Sequence, residues 1–293
     1  MANLKEIRTR IASVKTTRQV TSAMKMVSAA KLKKAQDSIL QIRPYADKLY
    51  EILTSLSASL ENVEDSIFTQ QREPEKVLVV VINSNRGLCG AFNSNINKRA
   101  IELAFEKYSQ QLQSGNLEFL PIGKQAEKFL KSNKFKSVKA RNEVYDQLNF
   151  ESTSTISEKI LLDFANKKYD RVELVYNKFK NAAVQIVTDE QFLPVEVKLN
   201  KDAAMTNFDF IYEPSQEYIV KELIPRSLKI QFHKALLDSN AAEHGARMTA
   251  MHKATDNATE LIRELTLTFN KARQAAITNE ILEVTNGAEA LNG

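Results

Sequence analysis

Three histidines, one cysteine and two glycine-bearing turns are the residues of this chain best suited to chemistry, and their spacing limits what they can do. His233, His244 and His252 lie 11 and 8 residues apart on one expected helix. A zinc site needs ligands that converge on one point, and neither spacing matches such a motif. Solvated or interfacial roles fit them better. Cys89 is the single cysteine, with no histidine beside it in sequence, so it reads as a small buried side chain. It has no partner for an internal disulfide, which suits a reducing compartment. The stretch "RGLCGAFN" (86–93) follows an expected strand, where a phosphate loop would sit. It lacks the G-x-G-x-x-G spacing. Gly123-Lys124 is followed by Gln125 and has no glycine five residues before it, so it is not a Walker A loop. These glycines are expected to serve backbone geometry. No catalytic residue, metal site or cofactor site is expected.

Charge supplies the next constraint. The net charge is +5, but residues 1–43 hold ten Lys or Arg against two acids, while residues 243–293 hold five against seven. A basic amphipathic segment can bind nucleic acid, an anionic membrane or an acidic protein, or can be a solvated helix face. The basic stretch "KQAEKFLKSNKFKSVKAR" (124–141) is expected to be a solvated helix and loop, with nucleic acid or anionic lipid as the other reading. The longest clean apolar run, "VLVVVI" (77–82), is too short to span a bilayer. The basic start has a transit-peptide flavour, yet its helical pattern continues past any cleavable length, so it is read as mature protein.

Glycine and proline then show which elements must position these residues. No glycine precedes Gly87, and no proline follows Pro225. Both ends therefore lack helix breakers over long stretches. At the N-terminal end Asn3 and Glu6 stand at capping-box spacing. A heptad seam follows: Leu4, Ile7, Ile11, Val14, Arg18, Thr21, Lys25, Ser28, Leu32, Ala35, Ile39, Ile42. Its polar members cluster in the middle, which predicts a weaker part of a coiled-coil seam or a place where other surfaces matter. The C-terminal helix is expected from near Pro214, with a kink or second start at Pro225. Two long helices at opposite chain ends predict an antiparallel pair joined through a middle domain.

The middle reads as α/β. Strands are expected at 76–83, 117–123, 171–177 and 182–187, and helices at 93–113, 124–132 and 153–167. That alternation favours a parallel sheet flanked by helices.

The closing stretch "ITNEILEVTNGAEA" (277–290) places Ile277, Ile281, Val284 and Ala288 within about 60° of one another on a helix, with Glu280 and Glu283 on a second face. A helix with one buried stripe and a rod ringed by other protein surfaces both fit this pattern.

The same stretch resembles the signature of the gamma subunits of rotary F-type ATP synthases, through Ile277, Thr278, Glu280, Glu283, Gly287 and Ala288. "FNKARQAA" (269–276), "IRTRIASVKTTRQVTSAMKMVSAAKLKKAQ" (7–36), "NRGLCGAFN" (85–93) and "EHGARMTAMHKATDNA" (243–258) resemble that family in the same order along the chain. The resemblance implies a coiled-coil shaft from 1–60 and 210–293 with a Rossmann-like α/β middle domain over 74–200. It implies a central rotor shaft, itself no enzyme, that couples ion-driven rotation to ATP synthesis on beta subunits. The implied partners are three alpha and three beta subunits, an epsilon subunit and a ring of c subunits, with no cofactor and no nucleic acid. The implied place is peripheral to a bacterial inner membrane, on its cytoplasmic side. Carried over by motif, Met24 and Arg247 would lie near the moving loop of the beta subunit, and Gln274, Thr278, Glu280 and Glu283 would be polar contacts of the terminal helix. Versions switched by thiols carry an extra cysteine pair, which the lone Cys89 does not provide. Met24→Lys is expected to reduce coupling while leaving assembly intact, and Gly245 to loosen its helix by about 1 kcal/mol relative to alanine. The competing reading is a stand-alone basic coiled-coil or nucleic-acid-binding scaffold, which salt-sensitive binding would mark.

Overall fold

The computed structural model describes residues 4–59, 67–195, 213 and 216–292. Two long helices, α1 (Leu4–Ser59) and α6 (Gln216–Asn292), enclose the remaining elements in sequence. By packing the chain divides into two compact units. One joins Met1–Ser28 to Met248–Gly293, and the other is Ala29–Arg247.

In the first unit α1 and α6 pair as a coil. Thr21 Oγ1 lies 2.8 Å from Thr255 Oγ1, and the Arg8 guanidinium stands 5.6 Å from the Phe269 ring. Moving down α1 therefore means moving up α6, which makes the pair antiparallel. All the expected seam positions on α1 are buried or half-buried, including the polar Arg18, Thr21, Lys25 and Ser28. On α6 the matching row is Met251, Thr255, Ala258, Leu261, Leu265, Phe269, Ala272 and Ala276. This is the 3.5-residue spacing of a coiled coil, with small residues in the row that let backbones approach.

The second unit is built on a four-stranded sheet in the order β2-β1-β3-β4. Strand β1 (Val77–Ile82) pairs in parallel with β2 (Leu117–Ile122) and with β3 (Arg171–Phe179). Strand β4 (Gln185–Leu193) pairs antiparallel with β3. The all-parallel expectation fails at this last pair. A parallel crossover needs a dozen or more residues, and the short β3–β4 turn can only make a hairpin. Asn181 shapes that turn, its Oδ1 accepting the N–H groups of Ala183 and Val184 at 3.0 and 2.8 Å. The fourth strand consequently starts at Gln185 and not at Ala182.

Alternation along the strands sends side chains to two cores. Leu78, Val80, Ile82, Leu120, Ile122 and Leu174 pack with α5 (Phe150–Ala165) and with Ile224, Leu228 and Phe232 of α6. Val77, Val79, Val81, Leu117, Phe119 and Val175 pack with α2 (Phe92–Lys107) and α4 (Lys124–Ser132). The helix expected over 93–113 divides at Tyr108, leaving the short α3 (Ser109–Gln113). Tyr108 leaves helical geometry and its hydroxyl donates to the buried Glu173 carboxylate at 2.5 Å. Of the kink or second start expected at Pro225, the second start does not occur, since helix α6 runs through it. A proline inside a helix costs about 3 kcal/mol. Ile224 and Leu228 on either side of it are buried against the sheet, each worth about 2 kcal/mol, which offsets that cost.

Candidate functional site

The carboxyl ends of β1 and β2 form the mouth where α/β folds bind ligands. Here asparagines fill it. Asn83 Nδ2 donates to Asn97 Oδ1 at 2.9 Å, and Asn93 Oδ1 accepts from the Ser84 N–H at 3.3 Å. Asn85 Oδ1 accepts the Lys124 N–H at 3.0 Å, and Asn142 Oδ1 accepts the Gly123 N–H at 3.1 Å. Gly123 is indispensable to this closure. Its φ is 105°, and a Cβ there would stand 2.3 Å from Asn83 O. The glycine serves backbone geometry, and the approach it permits is to another turn of the same mouth.

The loop from Ser84 to Ala91 is held from inside by α6. Arg247, 7 % exposed, donates from Nη2 to Arg86 O at 3.2 Å and from Nε to Gly87 O at 3.4 Å. Its Nη2 also meets Glu243 Oε1 at 2.7 Å. Nη1 lies 3.3 Å from His244 Nδ1; since arginine can only donate, that nitrogen accepts and His244 is neutral. Burial, with Arg247 and Lys31 nearby, pushes the His244 imidazole down to about 4. Burial pushes the Glu243 carboxyl up, while Arg247 pulls it back. A phosphate loop turns N–H groups inward toward an anion. This loop turns carbonyls inward toward a cation, so its polarity is the reverse of a nucleotide cradle.

Cys89 is buried under the same loop, with Asn93 Nδ2 donating to its Sγ at 3.1 Å. Burial raises its thiol above the ordinary value, which suits an unreactive side chain. His233 is buried too, with Nδ1 2.9 Å from Thr153 Oγ1, and burial lowers it to about 4. His252 is exposed and faces Asp256 at 3.2 Å. The histidines share a helix but do not converge. Among the described residues no cluster of His, Cys, Asp or Glu could hold a metal ion. Nor is any described helix long and apolar enough to cross a membrane.

The residues carried over by motif occupy very different surroundings. Arg247 is an internal strut of the α/β unit. Met24 belongs to the coil unit and is half-buried, its carbonyl accepting from Ser28 Oγ at 2.7 Å. The outward apolar side chains of this stretch are Val20, Met26 and Val27, with Met26 65 % exposed. They were not singled out in the sequence, although their offset from the heptad seam marks them. Gln274, Thr278, Glu280 and Glu283 are all exposed. Thr278 Oγ1 donates to its own helix, at Gln274 O, 3.0 Å.

The closing apolar stripe differs from a buried seam. Ile277, Ile281 and Val284 are exposed, Val284 by 73 %. The register explains it. With Thr21 opposite Thr255, Leu4, the first described residue of α1, falls opposite α6 near Ala272. Among the described residues, none of α1 lies opposite α6 beyond about Ala276. Gly245 also differs from expectation. A Cβ there would stand 3.2 Å from the Ala182 backbone, so the glycine admits the β3–β4 turn against α6. Alanine would have to displace that turn, which opposes its gain in helix propensity.

Comparison with known proteins places this arrangement. A family model described as ATP synthase matches residues 3–291. The ATP synthase gamma chain of Christiangramia forsetii is 54 % identical over 293 residues, covering 100 % of both chains. That of Flavobacterium johnsoniae is 56 % identical over 293 residues, again covering 100 % of both. Among solved structures, a chain of the central stalk and c-ring of the Tetrahymena thermophila mitochondrial ATP synthase is 28 % identical, with a TM-score of 0.58 over 80 % of this chain and 99 % of that one. A chain of the Euglena gracilis mitochondrial ATP synthase shares the fold at 19 % identity, with a TM-score of 0.66 over 98 % of this chain and 94 % of that one.

Proposed function

This chain belongs to the ATP synthase gamma chain family, and from that premise we propose that it is the central rotor shaft of an F1 sector, coupling ion-driven rotation to ATP synthesis on surrounding subunits. The observation that carries the reading is the overhang. Among the described residues α6 extends past α1, and there Ile277, Ile281, Leu282 and Val284 are exposed with Gln274, Thr278, Glu280 and Glu283 around them. A free helix of that kind needs a surrounding surface. A ring of three alpha and three beta subunits provides one, and polar contacts that break at each step suit sliding better than a tight interface.

On this reading the chain does no chemistry itself, and nucleotide sites lie on its partners. The loop carbonyls that face Arg247 support that division, because they present oxygens where a phosphate loop presents N–H groups. The epsilon subunit and the c-ring are the partners proposed for the rest of the shaft. The chain is then held at a bacterial inner membrane peripherally, on the cytoplasmic side, through the complex. Met24, in the helix face beside Thr21 and Ser28, is proposed to face the moving beta-subunit loop together with the exposed Met26 and Val27.

A tagged pull-down from native membranes tests the assembly. One tagged chain recovered with three copies each of two larger subunits and ATPase activity is the expected result. Recovery with nucleic acid, or alone under conditions that preserve membrane complexes, would replace the rotor with a basic scaffold. Within the complex, Met24→Lys should leave assembly intact and lower proton pumping per ATP; normal pumping would remove Met24 from the coupling surface.

A further inference from the structure

Arg247 sits in a family motif near the proposed coupling surface, yet its guanidinium is buried. It is 7 % exposed, and its donors are committed to Arg86 O, Gly87 O, His244 Nδ1 and Glu243 Oε1. What reaches the outside is the loop that it grips. Leu88 is 65 % exposed, while its neighbour Cys89 is 1 % exposed, so the loop turns over sharply between them. Leu88 has φ 62°, a left-handed conformation that a leucine does not adopt unaided. Such an outlier persists when surroundings over-determine it, and it is a pointer to function.

The surroundings here are explicit. Carbonyls 86 and 87 point inward to the guanidinium, which forces the next residue to turn out. Asn93 ties the far side of the loop through Ser84 at 2.8 Å and Cys89 at 3.1 Å. Two residues before Arg247, Gly245 lies tightly against the Ala182 backbone, where a Cβ would stand only 3.2 Å away. Helix α6 is thus gripped on two faces at 243–247, and a twist of the helix there must move either the loop or the hairpin turn.

We propose that Arg247, braced by Glu243, is a positioning residue that latches the 84–91 loop with Leu88 outward and Cys89 sealed beneath, so that it acts on coupling through the loop and not by touching a partner. The coupling half rests on the rotor reading above; the latch itself does not. Twist of α6 is handed to the loop tip through the guanidinium, and the forked donors are what make the link stiff.

The chain carries its own reporter, since Cys89 is its single cysteine. The experiment measures alkylation of Cys89 by N-ethylmaleimide, read by the mass of this chain, on the assembled complex and on the full isolated chain. Proton pumping per ATP is measured on the same complexes, and global stability by denaturant. Arg247→Ala should speed alkylation roughly tenfold or more, beyond what its loss of global stability accounts for, and should lower pumping per ATP. Arg247→Lys, which keeps the charge but not the fork, should fall between and partly restore both readouts. Three results would each overturn the proposal: pumping falls with alkylation unchanged, alkylation rises only in step with global unfolding, or alkylation rises with coupling intact. Should Arg247→Ala fail to fold, Glu243→Gln removes the brace at constant shape. A smaller rise in alkylation then supports the latch, and no rise overturns it. If the chain never co-purifies with an ATPase, the rotor reading fails, while alkylation of the isolated chain still decides the latch.

Discussion

The same two helices obey different rules in the two compact units. Within Ala29–Arg247, α6 is packed on several sides. Phe232, Ala235 and Leu236 lie under the sheet, and Asp238, Ser239, Glu243, His244 and Arg247 are all buried. In the unit formed by Met1–Ser28 and Met248–Gly293, each helix shows one narrow covered row and an open remainder. The α/β unit ties many of its buried polar groups to one another, through asparagines and a guanidinium. The coil unit leaves hydroxyls, amides and carboxylates outside. A rotor asks for that contrast: one part keeps its shape, and the other offers surfaces that partners can meet and leave.

The largest effect should come from breaking the mouth of the α/β unit. Gly123→Ala forces a Cβ against the Asn83 carbonyl in a backbone conformation reserved for glycine. A loss of about 3 kcal/mol in denaturant stability is expected. Glycine-to-alanine at Gly287, where nothing stands within 4 Å, is the matched control in the coil unit and should show no such loss.

Acid should separate the units next. His233 and His244 are buried and held near 4, below the ordinary 6.5. The unfolded imidazoles gain protons as pH falls through 6.5 while the folded ones stay neutral, so stability is present above that value and is lost as pH falls toward 4. Each should cost about 2 kcal/mol between about pH 7 and pH 5. Burial raises the carboxyls of Glu190, Asp238 and Glu243, whose earlier protonation in the folded state returns part of that loss. The comparison is therefore with His233→Asn, whose denaturant midpoint should fall less between those pH values. An equal fall would mean that His233 does not contribute. The coil unit's His252 is exposed, so it is not one of these buried imidazoles.

Much of this was legible in the sequence, for identifiable reasons. The heptad seam from Leu4 to Ile42 is a local repeat, and it survives intact because a coil needs no information beyond its row. The first three strands were legible because each holds a run rich in β-branched, aromatic or other apolar residues between turns. The direction of β4 was not, since it depends on whether Asn181 closes a hairpin. The asparagines at the mouth were missed because Asn83, Asn97 and Asn142 act only when distant segments meet. The one visible trace was "NSN" (83–85) directly after a buried strand. The motif assigned Arg247 as a partner contact near the moving beta-subunit loop; its contacts inside this chain, with Arg86 and Gly87, show only once the chain is folded.

A smaller effect probes the coil's polar middle. Thr21 and Thr255 share a hydroxyl contact of 2.8 Å, but each also has a fallback in its own helix, at Arg18 O and Met251 O. Thr21→Val should cost about 1 kcal/mol, and the double change with Thr255→Val no more than the single one, since neither hydroxyl is then left alone. Additive losses would mean that the two residues act independently, and would remove the pair as the pin of the coil's register.

The smallest effect on the chain itself should come from the overhang, and its size decides what the overhang is for. Ile281 is exposed, and no described residue of α1 lies opposite it. Exposed apolar surface gives no burial energy to lose, so Ile281→Ser should leave the melting point of the isolated chain within the few tenths of a kcal/mol usual for surface changes. If a ring of subunits encloses this helix, the same substitution removes apolar contact there, and ATP-driven pumping of the assembled complex should fall. If instead the stripe folds back within this chain, the isolated protein should lose the 2–5 kcal/mol or so typical of truncating a buried isoleucine. The two measurements together separate a helix that stabilises its own chain from one whose apolar face is completed by others.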